Sequence, residues 1–123
     1  MLNVKRMLAK LAKRVGSESI SLSKVSTKLS RGDAWLVYDK ASKTCRINFH
    51  FTANTNTTLT ISDVLFTVPP AYRPNGNFGG MLVAITNANV IASYLAKIDS
   101  SGNITQQLGA TAVAGAGYIE YPL

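Results

Sequence analysis

The sequence predicts an all-β domain of antiparallel strands, a sandwich or barrel, behind one short N-terminal helix. Three observations carry this. Over residues 44–51 apolar Cys45, Ile47, Phe49 and Phe51 alternate with polar Thr44, Arg46, Asn48 and His50, the period of a strand with one buried and one wet face. From Ser17 onward Thr, Val, Ile, Tyr and Phe are prominent, residue types that suit a pleated, half-buried surface. Turn-forming clusters recur at short intervals, and 123 residues suffice for one such domain.

Residues 1–15 read as the helix. Met1, Val4, Leu8, Leu11 and Val15 recur in alternating steps of three and four, the a and d positions of two heptads. Gly16 ends the pattern, with Lys13 and Arg14 in the last turn, where cations suit the helix dipole. A helix of ~15 residues is marginal alone in water, so it needs a covering surface. Its own domain, an acidic membrane or copies of itself could supply one. The heptad spacing favours copies, with those five residues as the oligomerisation seam. Residues 1–16 are thus a basic stem or docking segment, and 17–123 a head domain.

In the head, strands are expected at 19–23, 34–38, 44–51, 57–62, 64–68, 81–87, 90–98, 103–108 and 117–121. The punctuation between them is Arg31-Gly32-Asp33, residues 39–43, Asn54-Thr55-Asn56, Pro69-Pro70, Pro74-Asn75-Gly76-Asn77 and Asp99-Ser100-Ser101-Gly102. Phe78-Gly79-Gly80 and Gly115-Ala116-Gly117 match no phosphate loop and read as bends or bulges.

Charge is unevenly spread. The formal net charge is +7, but Lys5, Arg6, Lys10, Lys13 and Arg14 precede Gly16 with no acid among them. The head keeps eight basic residues against six acidic ones, so nucleic-acid binding is not expected of it. Cys45 is the single cysteine, which rules out an intramolecular disulfide and a cysteine-rich zinc site. Basic residues interrupt each apolar run near the start, and nowhere are there the roughly 18 apolar residues of a membrane span. Neither a secretory signal nor a transmembrane segment is expected, and synthesis falls to a reducing cytoplasm.

Catalytic machinery is hard to assemble from these residues. His50 is the single histidine, and the acids are scattered without metal-ligand spacing. Alternation points Cys45 and His50 to opposite faces of one strand, so they cannot act as nucleophile and base. No enzymatic activity and no cofactor are expected. Glycan binding suits the residues better, since a sugar's C–H face stacks on a ring while planar polar side chains take its hydroxyls. Trp35 follows Arg31 and Asp33, Arg46 and His50 share one polar strand face, and Tyr72 stands between prolines. These six are the candidate saccharide contacts.

Val68-Pro69-Pro70-Ala71-Tyr72-Arg73-Pro74 resembles the apolar-Pro-x-Gly-Tyr-Arg-Pro segment in C-terminal domains of bacteriophage tail-fibre and baseplate receptor-binding proteins, especially of phages of Gram-positive bacteria. Residues 96–104 are similar to the strand, turn and strand that follow it there, and 118–123 to the closing strand. Ala71 departs from the pattern's Gly. The resemblance implies a β-sandwich or jelly-roll head, homotrimeric, on a helical or fibrous stem, recognising a host cell-surface saccharide. It implies a virion protein, made in the host cytoplasm, whose helix docks on other virion proteins. A fibre or connector protein of the virion with the same fold and no receptor is the alternative.

Overall fold

Alternation along residues 44–53 sets the interior. In the computed structural model, which describes Val4, residues 16–107 and residues 112–123, β3 (Thr44–Ala53) buries Cys45, Ile47, Phe49, Phe51 and Ala53 and turns Arg46, Asn48, His50 and Thr52 outward. Its neighbours β2 (Leu29–Asp39) and β8 (Ala112–Pro122) flank it antiparallel, matching Leu36 and Ile119 to Ile47. With β1 (Ser17–Ser23), β4 (Phe66–Thr67), β5 (Phe78–Thr86), β6 (Ile91–Ile98) and β7 (Asn103–Gln106) they form one antiparallel sheet, ordered β1-β2-β3-β8-β5-β6-β7-β4.

The sheet curls until its edges meet. Lys24, just past β1, bridges to Phe66 of β4, and the Val25 amide donates to the Leu65 carbonyl at 2.9 Å. The result is a nearly closed barrel, its seam joined just past the end of β1. Within it Phe49 lies 5.8 Å from Phe66, ring centre to ring centre, and Phe78 lies 6.0 Å from Tyr121. The all-β antiparallel expectation therefore holds, with the two faces of a sandwich supplied by a single curled sheet.

Several elements depart from the sequence pattern. The 57–62 segment is a loop, tied to the sheet where Leu59 bridges to Ala112 and where the Leu59 carbonyl accepts from Gln106 Nε2 of β7 at 3.4 Å. Its backbone is captured by a side chain: Asp63 Oδ2 accepts from the Thr60 amide at 2.7 Å, so local bonding displaces a ladder. The 64–68 strand shrinks to Phe66–Thr67, although the Leu65 and Val68 amides on either side still donate to the Ile104 and Gly102 carbonyls at 2.8 and 2.9 Å. Arg31-Gly32-Asp33, expected as a turn, continues β2 past an irregularity in register between Leu29 and Arg31.

The glycines read as bends lie inside strands β5 and β8. Aromatic rings explain Gly117: a Cβ there would sit 2.2 Å from Phe49 Cζ, so the ring packs flat on bare backbone. At Gly102 the reason is conformational as well as steric. Its φ is +79°, and its amide donates to the Asp99 carbonyl in the β6–β7 turn.

Of the heptad positions, Met1, Leu8, Leu11 and Val15 lie outside the described residues, and Val4 is exposed. No helix among the described residues is long and apolar enough to cross a membrane.

Candidate functional site

Strand pairing gathers four of the six candidates on the outer face of β2 and β3. Asp33 stands opposite His50, Trp35 opposite Asn48, and Arg31 opposite Thr52. His50 Nε2 is 3.5 Å from Asp33 Oδ2, and Arg31 Nε is 3.7 Å from the same oxygen. The imidazole also leans on the Trp35 indole, with ring centres 5.6 Å apart and planes inclined by 51°. Trp35 is 44% exposed, so much of its indole stays open to water. An indole face, a carboxylate, an imidazole and a guanidinium thus lie side by side, open to water. Ion pairs this exposed add little to folding, which leaves their groups available to a ligand.

Arg46 shares the face but lies four residues from His50, roughly 13 Å along the strand. Its Nε approaches Glu120 Oε1 at 3.5 Å, and the Tyr118 hydroxyl donates to Glu120 Oε2 at 2.8 Å. That hydrogen bond is the main reason the Tyr118 phenol is pushed above its ordinary value, with burial second.

Tyr72 is not brought to the others. Its hydroxyl donates to the Glu18 carboxylate, its ring meets Tyr38 edge-on at 5.8 Å, and its carbonyl accepts from the Tyr121 hydroxyl at 2.6 Å. The bond from Tyr72 holds the Glu18 carboxyl below the usual range, against a smaller opposing push from burial. Next to it, Arg73 Nε donates to the Val68 carbonyl at 2.8 Å, and the Arg73 side chain lies against Gly102. The Tyr-Arg-Pro corner locks the barrel end.

Sequence reasoning missed two neighbours. Asn48 and Tyr118 lie beside Trp35 in one cross-strand row, Ser21, Trp35, Asn48, Tyr118, Met81, Leu95, running over six strands. Asn48 lay in the recognised alternation and was overlooked. Tyr118 joins it only through the β3–β8 register, for which no local signal exists. Beyond Tyr118 the outer face turns apolar: Met81, Ile91 and Leu95 are 66%, 69% and 53% exposed, with Val83 beside them.

Cys45 and His50 do face opposite sides of β3, and burial raises the Cys45 thiol above its ordinary value. Among the described residues no three His, Cys, Asp or Glu side chains cluster as metal ligands would.

The curled antiparallel sheet is a fold shared with a bacteriophage receptor-binding protein. One solved protein with this fold is the receptor binding protein gp15 of Listeria phage PSA. The two superpose with a TM-score of 0.62 at 12% sequence identity, over 98% of this chain and 74% of that one. No protein-family model and no curated protein sequence matches the chain.

Proposed function

We propose that this chain is the tip domain of a phage virion adhesin, tail-fibre or baseplate, that binds a host cell-surface saccharide without altering it. The observation that carries the reading is the barrel shared over nearly its whole length with a Listeria phage receptor binding protein. The Trp35 surface supports it chemically. Trp35 offers a ring for a sugar's C–H face, while Asn48, His50, Asp33 and Arg31 offer planar donors and acceptors for its hydroxyls.

The protein acts as a homotrimer in this reading. Met81, Val83, Ile91 and Leu95 form a contiguous apolar area on the outer face, the kind that a monomer rarely leaves to water. Copies packing there would keep three sugar surfaces beside the interface, and three weak sites per tip give avidity. The segment ahead of Gly16 docks the tip on other virion proteins, and the protein's place is the virion.

The test is retention of the fluorescently labelled full chain on purified Gram-positive cell walls, Listeria walls among them. Binding should be released by the soluble wall carbohydrate and weakened by Trp35→Ala and by His50→Ala. Walls stripped of carbohydrate that retain the chain equally well would refute saccharide recognition.

A further inference from the structure

At one end of the barrel the outer face runs into an open depression of about 600 Å³, a size typical of small-ligand sites. Thr52 of β3, Ala114 of β8 and Ile85 of β5 share one cross-strand row and form part of its wall. Asn56 projects from the loop after β3, and Asn87 and Asn89 from the β5–β6 turn. Among the described residues, no charged residue lines it.

The two loops hold their amides by backbone conformation. Asn56 and Asn89 have φ of 60° and 59°, which asparagine tolerates better than most residues. The Asn89 amide donates to the Thr86 carbonyl at 3.0 Å, closing the turn. Asn54 spends its side-chain amide on the Thr27 carbonyl, at 2.9 Å. Among the described residues the side chains of Asn56, Asn87 and Asn89 make no hydrogen bond, so each presents a paired donor and acceptor to solvent.

We infer that this depression is a second saccharide subsite, beside the Trp35 surface, that takes an uncharged sugar residue. The inference rests on the adhesin reading and extends it. A wall without charge has nothing to offset the desolvation of an ionic ligand, while vicinal hydroxyls match carboxamides and a C–H face matches Ile85 and Ala114. An extended peptide is the less suitable occupant. It would need an unpaired strand edge, and both β3 and β5 are paired on both sides. Arg31, opposite Thr52 on β2 and 3.7 Å from Asp33 Oδ2, belongs to the first surface and does not line the depression.

The test is a ¹⁵N NMR titration of the full chain with D-glucose, D-galactose, N-acetyl-D-glucosamine and, for comparison, D-glucuronate and a neutral Gly-Ser-Asn peptide. A neutral sugar should shift the side-chain amides of Asn56, Asn87 and Asn89, with glucuronate binding more weakly. Asn56→Gly with Asn89→Gly keeps a backbone that glycine adopts freely and removes both amides, so affinity should fall about tenfold. Shifts confined to the Trp35 indole and His50 would overturn the subsite and leave the adhesin reading intact. No shift with any neutral sugar, or tighter binding of glucuronate or of the peptide, would overturn it too. The adhesin reading itself stands or falls separately, on cell-wall retention.

Discussion

Replacing Gly117 by alanine puts a methyl group where the structure has an aromatic ring. The new Cβ would lie 2.2, 2.6 and 2.9 Å from Phe49 Cζ, Cε1 and Cε2, against ordinary carbon contacts of about 3.5–4.0 Å. The ring must move by more than ~1 Å. It has little room, because Phe66 and Phe51 stand 5.8 and 6.4 Å away and the side chain is buried. Overpacking of this kind costs about 1–3 kcal/mol, and the conformational gain of losing a strand glycine returns roughly 0.5–1 kcal/mol. A net loss of about 1 kcal/mol should lower the urea midpoint by roughly 0.5–1 M.

Two further variants make the argument specific. Gly79→Ala brings a Cβ within 3.0 Å of Leu95 Cδ1, the end of an exposed side chain that can swing away, so its stability should stay within about 0.5 kcal/mol of the parent. Phe49→Leu alone leaves a smaller side chain and costs ~1–2 kcal/mol, yet it clears space for a methyl group at position 117. The double variant should therefore be more stable than the two losses added together by about 1 kcal/mol or more. Equilibrium urea unfolding at one fixed protein concentration reads the parent and all four variants, since subunit association would otherwise shift the midpoints. A Gly117→Ala loss under 0.5 kcal/mol, or strict additivity in the double variant, would refute the claim that Phe49 dictates glycine there.

Four other outcomes follow from contacts already described. Asp63 accepts from the Thr60 amide and from Lys28 Nζ at 3.0 Å; although burial pushes its carboxyl up, these bonds together hold it below the ordinary value. Its contribution is therefore complete above about pH 4 and is lost as pH falls through the lowered folded value, so Asp63→Asn should cost ~1 kcal/mol at neutral pH and flatten the acid limb of a stability–pH curve. Gly102→Ala forces an alanine to φ near +79° with its Cβ 2.7 Å from the Val68 carbonyl oxygen, and a loss of about 2 kcal/mol or more should appear as a lowered melting temperature. Tyr72→Phe should leave cell-wall retention unchanged, whereas Trp35→Ala should weaken it several-fold with the fold intact by circular dichroism. Met81→Glu with Leu95→Glu puts charge on the apolar outer area and should reduce the mass found by light scattering to that of one chain, whereas a parent already monomeric would refute the trimer.

Alternation over 44–51 was readable because side-chain direction in a strand repeats every two residues, a property of the local backbone alone. It placed Cys45 inside and His50 outside, but it did not bring Asp33 and Trp35 to His50, which only the β2–β3 register does. The same local reasoning failed where a contact from elsewhere overrode composition. Gly115 and Gly117 looked like bends because nothing near them in sequence reveals the Phe51 and Phe49 rings that fill their missing side chains. Residues 57–62 looked like a strand because Thr and Ile suit one, until the Asp63 carboxylate claimed their backbone.

The faces of the 44–51 strand, most turn positions, the lone cysteine's burial and the uneven charge were determined by the sequence alone, since each depends on neighbours a few residues apart. Tertiary structure decided the rest: that eight strands curl into one nearly closed sheet, that Tyr118 lies beside Asn48 and Trp35, and that Tyr72 secures a corner away from them. The physical reason is register. Which residues of β3 face which of β8 depends on closing the chain over long separations, and one step of slippage would turn every inward side chain to water.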